Sequence, residues 1–156
     1  MKYKIILCII LVSIGLASLG YANVKDKKYM PTLTIQTQDN LSYKFKIEVA
    51  DTPAERSYGL MNRTDLKPNA GMLFVFEDVS FQEFWMKDTL IPLDILFIDA
   101  HGKITHIVEN AKPNDLTPLP SGGPVKAALE ILGGQSGKLG IKKGDLVKYN
   151  LFTNGK

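Results

Sequence analysis

Cysteine is nearly missing from this chain, and several short catalytic motifs are missing altogether. The one cysteine, Cys8, lies in an apolar run at the start, so the rest of the chain offers no disulfide, thiolate nucleophile or cysteine metal ligand. No serine stands in a G-x-S-x-G motif, and neither a phosphate-binding loop nor a dinucleotide fingerprint occurs. These absences exclude thiol chemistry and argue against a serine hydrolase or a nucleotide-dependent enzyme.

A charge excess is also missing once the first residues are set aside. The formal charge of +3 falls to +1 when Lys2 and Lys4 are removed. A nearly neutral domain has little electrostatic attraction for a phosphate backbone. We therefore expect no nucleic-acid partner.

The N-terminal segment has the features of an export signal. Lys2 and Lys4 precede an uncharged run from Ile5 to Gly20, which is shorter than the roughly 20 residues of a membrane-spanning helix. The run ends in Gly20-Tyr21-Ala22, with small residues three and one before a cut after Ala22, as a signal peptidase requires.

This reading divides the chain into three parts. We predict a signal peptide over residues 1–22, a flexible tether over 23–31 and a single domain over 32–154. The protein is then exported, and is periplasmic or secreted. The alternative is an uncleaved N-terminal segment that anchors the protein, which would be its only association with a membrane.

The first part of the domain has the alternation typical of strands. Residues 32–37 alternate, and Asp39-Asn40 is turn chemistry. In the following residues, 41–49, the apolar side chains fall on one face and the polar ones on the other. The pattern predicts a hairpin with one solvated face.

A helix start follows the hairpin. Thr52 can cap the helix, Pro53 suits its first position, and Glu55 completes a capping box. We predict a short helix that ends near Leu60 or Met61.

Later elements are mostly short and apolar, and together they determine the fold class. The predicted strands cover 71–76, 94–99, 103–108, 125–132 and 146–152, with a short apolar piece at 84–86, a long surface loop at 109–124 and one helical turn within 133–140. Many short strands with one or two short helices favour a mainly β, β-rich α+β domain: a small, mostly antiparallel barrel, closed or partly closed.

A series of motifs between Val49 and Val147 resembles a known family. The motifs, in order, are Ala50-Asp51-Thr52-Pro53 with Arg56, Gly59-Leu60-Met61 with Arg63, Gly71–Phe76, Phe84–Lys87 with Thr89, Pro92–Asp99, Leu129-Glu130, and Gly140-Ile141 with Gly144-Asp145. They resemble the family called domain of unknown function 192. The resemblance implies a compact β-rich barrel, often exported, without an agreed activity. Asp88 departs from the family, which usually has asparagine there, and adds a negative charge beside Lys87.

The block around the single tryptophan is the first candidate site. Trp85 offers a flat apolar face and one N–H, which suits recognition of a sugar or peptide. Polar and charged neighbours surround it in the chain. The predicted ligand-binding set is Trp85, Lys87, Asp88, Thr89, Asp94 and Arg56. The alternative is structural, with Trp85 in the core and the charged residues fixing a turn.

A second set contains possible ion pairs. Glu130 lies within an apolar segment, where a carboxylate needs a partner or solvent, and Arg56 or Asp94 could belong to the same cluster. We predict a structural ion pair between Arg56 and Glu130. The alternative is acid–base work by paired carboxylates among Asp88, Asp94 and Glu130.

Methionine supplies the third possibility. Met61, Met72 and Met86 each lie in a motif, and thioethers suit Cu(I). Methionine is also an ordinary core residue, and His101 and His106 flank a turn as surface residues do. We therefore expect no metal site and no cofactor.

The favoured function is a non-catalytic, monomeric binding module of the cell envelope. Its ligand would be a small molecule, glycan or peptide held beside Trp85, Lys87 and Asp94. An acid–base, hydrolase-like enzyme and a Cu(I)-binding protein are the alternatives.

Overall fold

The computed structural model describes residues 30–152. The predicted signal peptide and all but the last two residues of the predicted tether lie outside this range. Neither helix within it has the length and hydrophobicity that crossing a membrane requires.

Seven strands and two short helices follow one another along the described chain. They are β1 (Thr32–Gln36), β2 (Ser42–Ala50), α1 (Pro53–Tyr58), β3 (Ala70–Phe84), β4 (Leu93–Ile98), β5 (Ile104–Ala111), β6 (Leu119–Leu132), α2 (Gln135–Leu139) and β7 (Leu146–Lys148), followed by a 3-10 turn at Asn150–Phe152. The prediction of a mostly β domain with short helices is confirmed.

The strands form one mixed sheet in the order β5-β4-β6-β3-β2-β1-β7. The pair β2–β3 is parallel, and the other five pairs among the described strands are antiparallel. The sheet curls into a half-barrel whose edge strands meet at one end, where Val147 N–H donates to the Gly102 carbonyl at 2.7 Å and Ile104 N–H donates to the Asp145 carbonyl at 2.9 Å. The barrel is therefore only partly closed.

The sheet buries both of its faces in its middle strands. Leu73, Leu96 and Leu129 belong to the apolar cluster inside the curl. Phe74 and Ile95, one residue away along their strands, belong to a second cluster on the outer face. Because side chains alternate along a strand, β3, β4 and β6 need apolar residues at nearly every position.

Helix α1 begins as its sequence predicts. Thr52 Oγ1 accepts from Glu55 N–H at 3.3 Å, and the Glu55 carboxylate accepts from Thr52 N–H at 3.1 Å. Pro53 stands at the first position, where no N–H is needed.

The long loop predicted over 109–124 is wrong. β5 continues to Ala111, and β6 begins at Leu119. Pro120 and Pro124 are tolerated there because β4 pairs with β6 only from Ala127 onwards, so that β3 is the one neighbour of this segment.

Two other boundaries differ from prediction. β3 runs without interruption to Phe84, where separate pieces were predicted at 71–76 and 84–86. The register between β3 and β6 shifts between Val75 and Ser80, and this bulge interrupts the period of two. The final strand ends at Lys148 and is followed by the 3-10 turn, where a strand to Phe152 was predicted.

Candidate functional site

A cleft of about 420 Å³ opens on the outer face of the sheet. Helix α1 and the turn after it form one side, the second half of β3 and the residues after it form the other, and β6 contributes to the floor. The lining residues are Pro53, Arg56, Ser57, Tyr58, Gly59, Leu60, Met61, Phe74, Phe76, Gln82, Glu83, Phe84, Trp85, Lys87, Thr89 and Glu130. The volume lies within the range of small-molecule sites.

Glu130 is the buried carboxyl of this cleft. Its side chain is on the outer face of β6, where its partners in register are Met72 and Ile95. The residue is 4% exposed, and its Oε2 has no hydrogen-bond partner. Burial raises the pKa of Glu130 to about 8, because an ionised carboxylate loses its hydration there. The group is therefore mostly protonated at neutral pH and can donate a hydrogen bond.

Arg56 lines the same cleft but does not form the predicted ion pair with Glu130. Its guanidinium donates through Nη1 to the Val75 carbonyl at 3.0 Å and to the Asp51 carbonyl. The bond to Val75 ties α1 to β3 at the residue where the register shift begins. Within residues 30–152 the guanidinium–carboxylate pair is a different one, Arg63–Glu48, with contacts of 2.6 and 2.8 Å.

The tryptophan block lies at the rim. Trp85 is 54% exposed, so the structural alternative that placed it in the core is wrong. The Lys87 ammonium lies 5.7 Å from the centroid of the indole ring, as a cation–π contact requires. Thr89 is buried at the base of the turn and donates to the Lys87 carbonyl at 3.2 Å.

Two residues of the predicted binding set lie outside the cleft lining. Asp88 is an exposed turn residue with φ of +52°, and its carbonyl accepts from Asn62 N–H at 2.8 Å. Asparagine tolerates this left-handed conformation well, which gives a backbone reason for the asparagine that the family usually has.

Asp94 is fully buried on β4 and structural. Its carboxylate accepts from the backbone N–H groups of Asn110 and Gly134, each at 2.8 Å. It also accepts from Ser136, from the N–H at 2.7 Å and from the hydroxyl at 2.6 Å. The predicted groove beside Asp94 is therefore corrected to a cleft beside Glu130.

Sequence reasoning missed the aromatic wall of the cleft. The Phe84 ring meets Phe74 edge-to-face at 5.2 Å and Phe76 at 6.4 Å between centroids. The signal was present in the alternation of Phe74 and Phe76, but Phe84 joins them only because β3 continues through the bulge. Glu83 was also missed, and it places a second, exposed carboxylate in the lining.

The three methionines of the copper alternative lie in different surroundings. Met72 and Met86 are buried in the outer apolar cluster, while Met61 lines the cleft. His106 is exposed and stacks on Phe97, with ring centroids 5.9 Å apart. No cluster of three histidine, cysteine, aspartate or glutamate side chains suited to a metal occurs among residues 30–152.

Comparison with known proteins identifies relatives without assigned chemistry. The profile of the DUF192 family, described as "Uncharacterized ACR", matches residues 33–149. A crystal structure of a protein of unknown function from Novosphingobium aromaticivorans is 42% identical, with a TM-score of 0.75 over 77% of this chain and 85% of that one. A Sinorhizobium meliloti protein, proposed to be a transcription regulator, is 36% identical, with a TM-score of 0.74 over 75% of this chain and 91% of that one. A comparison with curated proteins gave no match.

Proposed function

The chain belongs to the DUF192 family, and from that premise we propose that it is an exported, non-catalytic module that binds a small molecule in the cleft beside Trp85 and Glu130. Export rests on the charge, length and cleavage pattern of residues 1–22. A protein recovered from the cell envelope or medium with Asn23 as its first residue would support this part, and an intact Met1 in the cytoplasmic fraction would contradict it.

One observation carries the binding proposal: Glu130, whose buried Oε2 has no hydrogen-bond partner, belongs to the lining of an open cleft. A polar atom left unpaired and dry costs about 1–3 kcal/mol. A ligand that hydrogen-bonds Glu130 Oε2 recovers that cost on binding. A buried polar atom without a protein partner is therefore expected at a site where a ligand completes the hydrogen bond.

The walls suit a ligand with a flat or apolar body. Phe74, Phe84 and Trp85 provide aromatic surface, and half of Trp85 stays open to solvent in the free protein. Lys87 and Glu130 supply polar contacts at the rim and at the floor. This combination of apolar walls and a few polar groups is typical of small-molecule sites.

A fragment screen tests the proposal, with Trp85 as its reporter. Trp85 is the single tryptophan of the chain, so its fluorescence and its indole N–H signal report on the cleft alone. We expect fragments that perturb Trp85 to lose binding in Trp85→Ala, which is measured by ligand-observed NMR because this variant has no tryptophan. They should bind normally to Phe81→Ala, which removes an exposed aromatic of β3 outside the lining. Equal loss in both variants, or no fragment in the cleft, would contradict the proposal.

An acid–base enzyme is the second candidate, because Glu130 has a pKa of about 8 and lies in a cleft. Its carboxylate partner would be Glu83, since Asp94 and Asp88 lie outside the lining. Prolonged incubation of each bound fragment separates the two functions. Chemical conversion that Glu130→Gln abolishes would favour the enzyme, and recovery of unchanged fragment would favour the binding module.

A further inference from the structure

The polar groups of the cleft that lack a protein partner are all hydrogen-bond donors. The inference drawn from them names the class of ligand and rests on the function proposed above. Lys87 Nζ makes no hydrogen bond or ion pair to another residue within 30–152, and its cation–π contact is with the Trp85 ring. Arg56 uses Nη1 for its two carbonyl partners, which leaves Nη2 and Nε without a protein acceptor in the described part of the chain. Both groups are donors.

Glu130 adds a third donor at neutral pH. Burial raises its pKa to about 8, and its Oε2 lacks a partner. Protonated, it neither repels an anion nor attracts a cation. The other titratable groups that line the cleft are Arg56 and Tyr58 from α1, Glu83 from β3, and Lys87 from the turn after β3, and burial alone raises the pKa of Glu130.

The charges of the lining point the same way. The lining contains two cations, Arg56 and Lys87, and one exposed carboxylate, Glu83, while Glu130 is neutral. The lining therefore carries a formal charge of +1 at neutral pH. A cationic ligand would have to enter past two like charges, whereas an anion meets two opposite charges.

We propose that the ligand is a small organic carboxylate with an apolar body. The body lies against the phenylalanine rings and Trp85. The carboxylate accepts a hydrogen bond from Glu130 and pairs with Lys87 or with the free edge of Arg56. Charge-assisted bonds of this kind are about twice as strong as neutral ones, so the carboxylate contributes specificity as well as affinity.

Three probes that share a phenyl ring and differ in charge test this chemistry. Benzoate, benzamide and benzylamine share one ring and carry negative, zero and positive charge at pH 6.5. Binding to the protein purified from expression of the full chain is measured by titration of the Trp85 indole N–H signal. We expect benzoate to bind at least tenfold more tightly than benzamide, and benzylamine to bind most weakly.

The pH dependence gives a second, independent result. Because two carboxylates would meet once Glu130 loses its proton, benzoate affinity should fall by about tenfold per pH unit above pH 8. In Glu130→Gln, whose amide keeps a donor at every pH, that fall should disappear. Lys87→Gln should weaken the binding of benzoate much more than that of benzamide, while Lys112→Gln, outside the lining, should change neither.

Other outcomes overturn the proposal in distinguishable ways. Tightest binding by benzylamine, with an affinity that rises with pH, would mean that Glu130 acts as a carboxylate toward cations. The proposed binding in the cleft would then hold, and the proposed preference for an anionic ligand would be wrong. A preference for neutral fragments at every pH would also contradict only the proposed anionic ligand and not the binding function. Absence of all fragments from the cleft would reject both the anion and the binding function.

Discussion

Residue 130 is an unfavourable place for a carboxyl group. Its neighbours in register, Met72 and Ile95, are apolar, and the protein supplies no partner to Oε2. An apolar side chain would remove the cost of an unpartnered polar atom. A residue that lowers stability at a cleft is typical of sites where function limits stability.

The stability of the protein should therefore depend on pH through Glu130. The pKa is 4.5 for the exposed group and about 8 in the folded chain, so the folded state holds an extra proton between these values. The contribution of Glu130 to the free energy of unfolding is then highest below pH 4.5 and falls as pH rises to 8, by at most about 1.4 kcal/mol per unit. In urea denaturation at a series of pH values from 5 to 8, the free energy of unfolding of Glu130→Gln should increase relative to that of the wild type at each higher pH.

A matched variant separates this effect from general charge effects. Glu83→Gln removes an exposed carboxylate from the same cleft and should leave the slope with pH unchanged. Parallel slopes for the wild type and Glu130→Gln would contradict the raised pKa.

At the scale of elements, the carboxylate of Asp94 connects three of them: β4, β5 and α2. Asp94 on β4 accepts from Asn110 on β5, from Gly134 before α2 and from Ser136 within α2. Helix α2 has only five residues, too few to be stable alone. Its position therefore depends on the Asp94 carboxylate.

Replacement of Asp94 by asparagine should be costly. One of the two acceptor oxygens becomes an amide that faces donors, so the free energy of unfolding should fall by roughly 2–4 kcal/mol. Urea denaturation measures the loss, and amide hydrogen exchange should show faster opening at Ser136. The matched control is Asp88→Asn, the same chemical change at an exposed left-handed residue, where we expect at most about 0.5 kcal/mol of either sign. Similar losses in both variants would contradict the structural role of Asp94.

The sequence predicted individual elements better than it predicted which elements pair with one another. β2 and α1 follow from the period of two and from the capping box, both of which act within a few residues. The extension of β3 against the start of β6 could not be predicted, because it pairs Phe81 with Pro124 across a register shift. Pairing over such a distance, with proline in the strand, leaves no local pattern.

The candidate site was predictable to a similar extent. Trp85, Lys87, Thr89 and Arg56 were correctly grouped with one another, since the cleft contains all four. Asp94 was misplaced because its partners are mainly backbone N–H groups 16 to 42 residues away, and every residue type but proline has such a group. Composition therefore could not distinguish a buried structural carboxylate from a ligand-binding one.

At the scale of the whole molecule, closure of the curled sheet depends on a close approach at Gly102. Its φ is +82°, and a Cβ atom there would lie 2.6 Å from the Val147 carbonyl oxygen. Gly102→Ala should therefore combine backbone strain with a clash and cost about 3 kcal/mol or more. Urea denaturation and hydrogen exchange at the Val147 amide measure the loss.

Gly140→Ala is the control for this prediction. Its φ is +69°, but nothing lies within 4 Å of the added Cβ atom. We expect a cost of about 1 kcal/mol from backbone strain alone. Equal costs at the two glycines would show that the approach of Gly102 to Val147 does not limit closure.

The pairing of β1 with β7 also determines when the protein can finish folding. Thr34 on the first described strand pairs with Lys148 on the last described strand. A growing polypeptide can form the β1–β2 hairpin, but β1 gains its second neighbour only after β7 has left the ribosome. Pairing over such long sequence separations is slow to form. Until then one edge of β1 stays unpaired, and a late and slow completion of the sheet lengthens the time during which this edge can pair with another chain and aggregate.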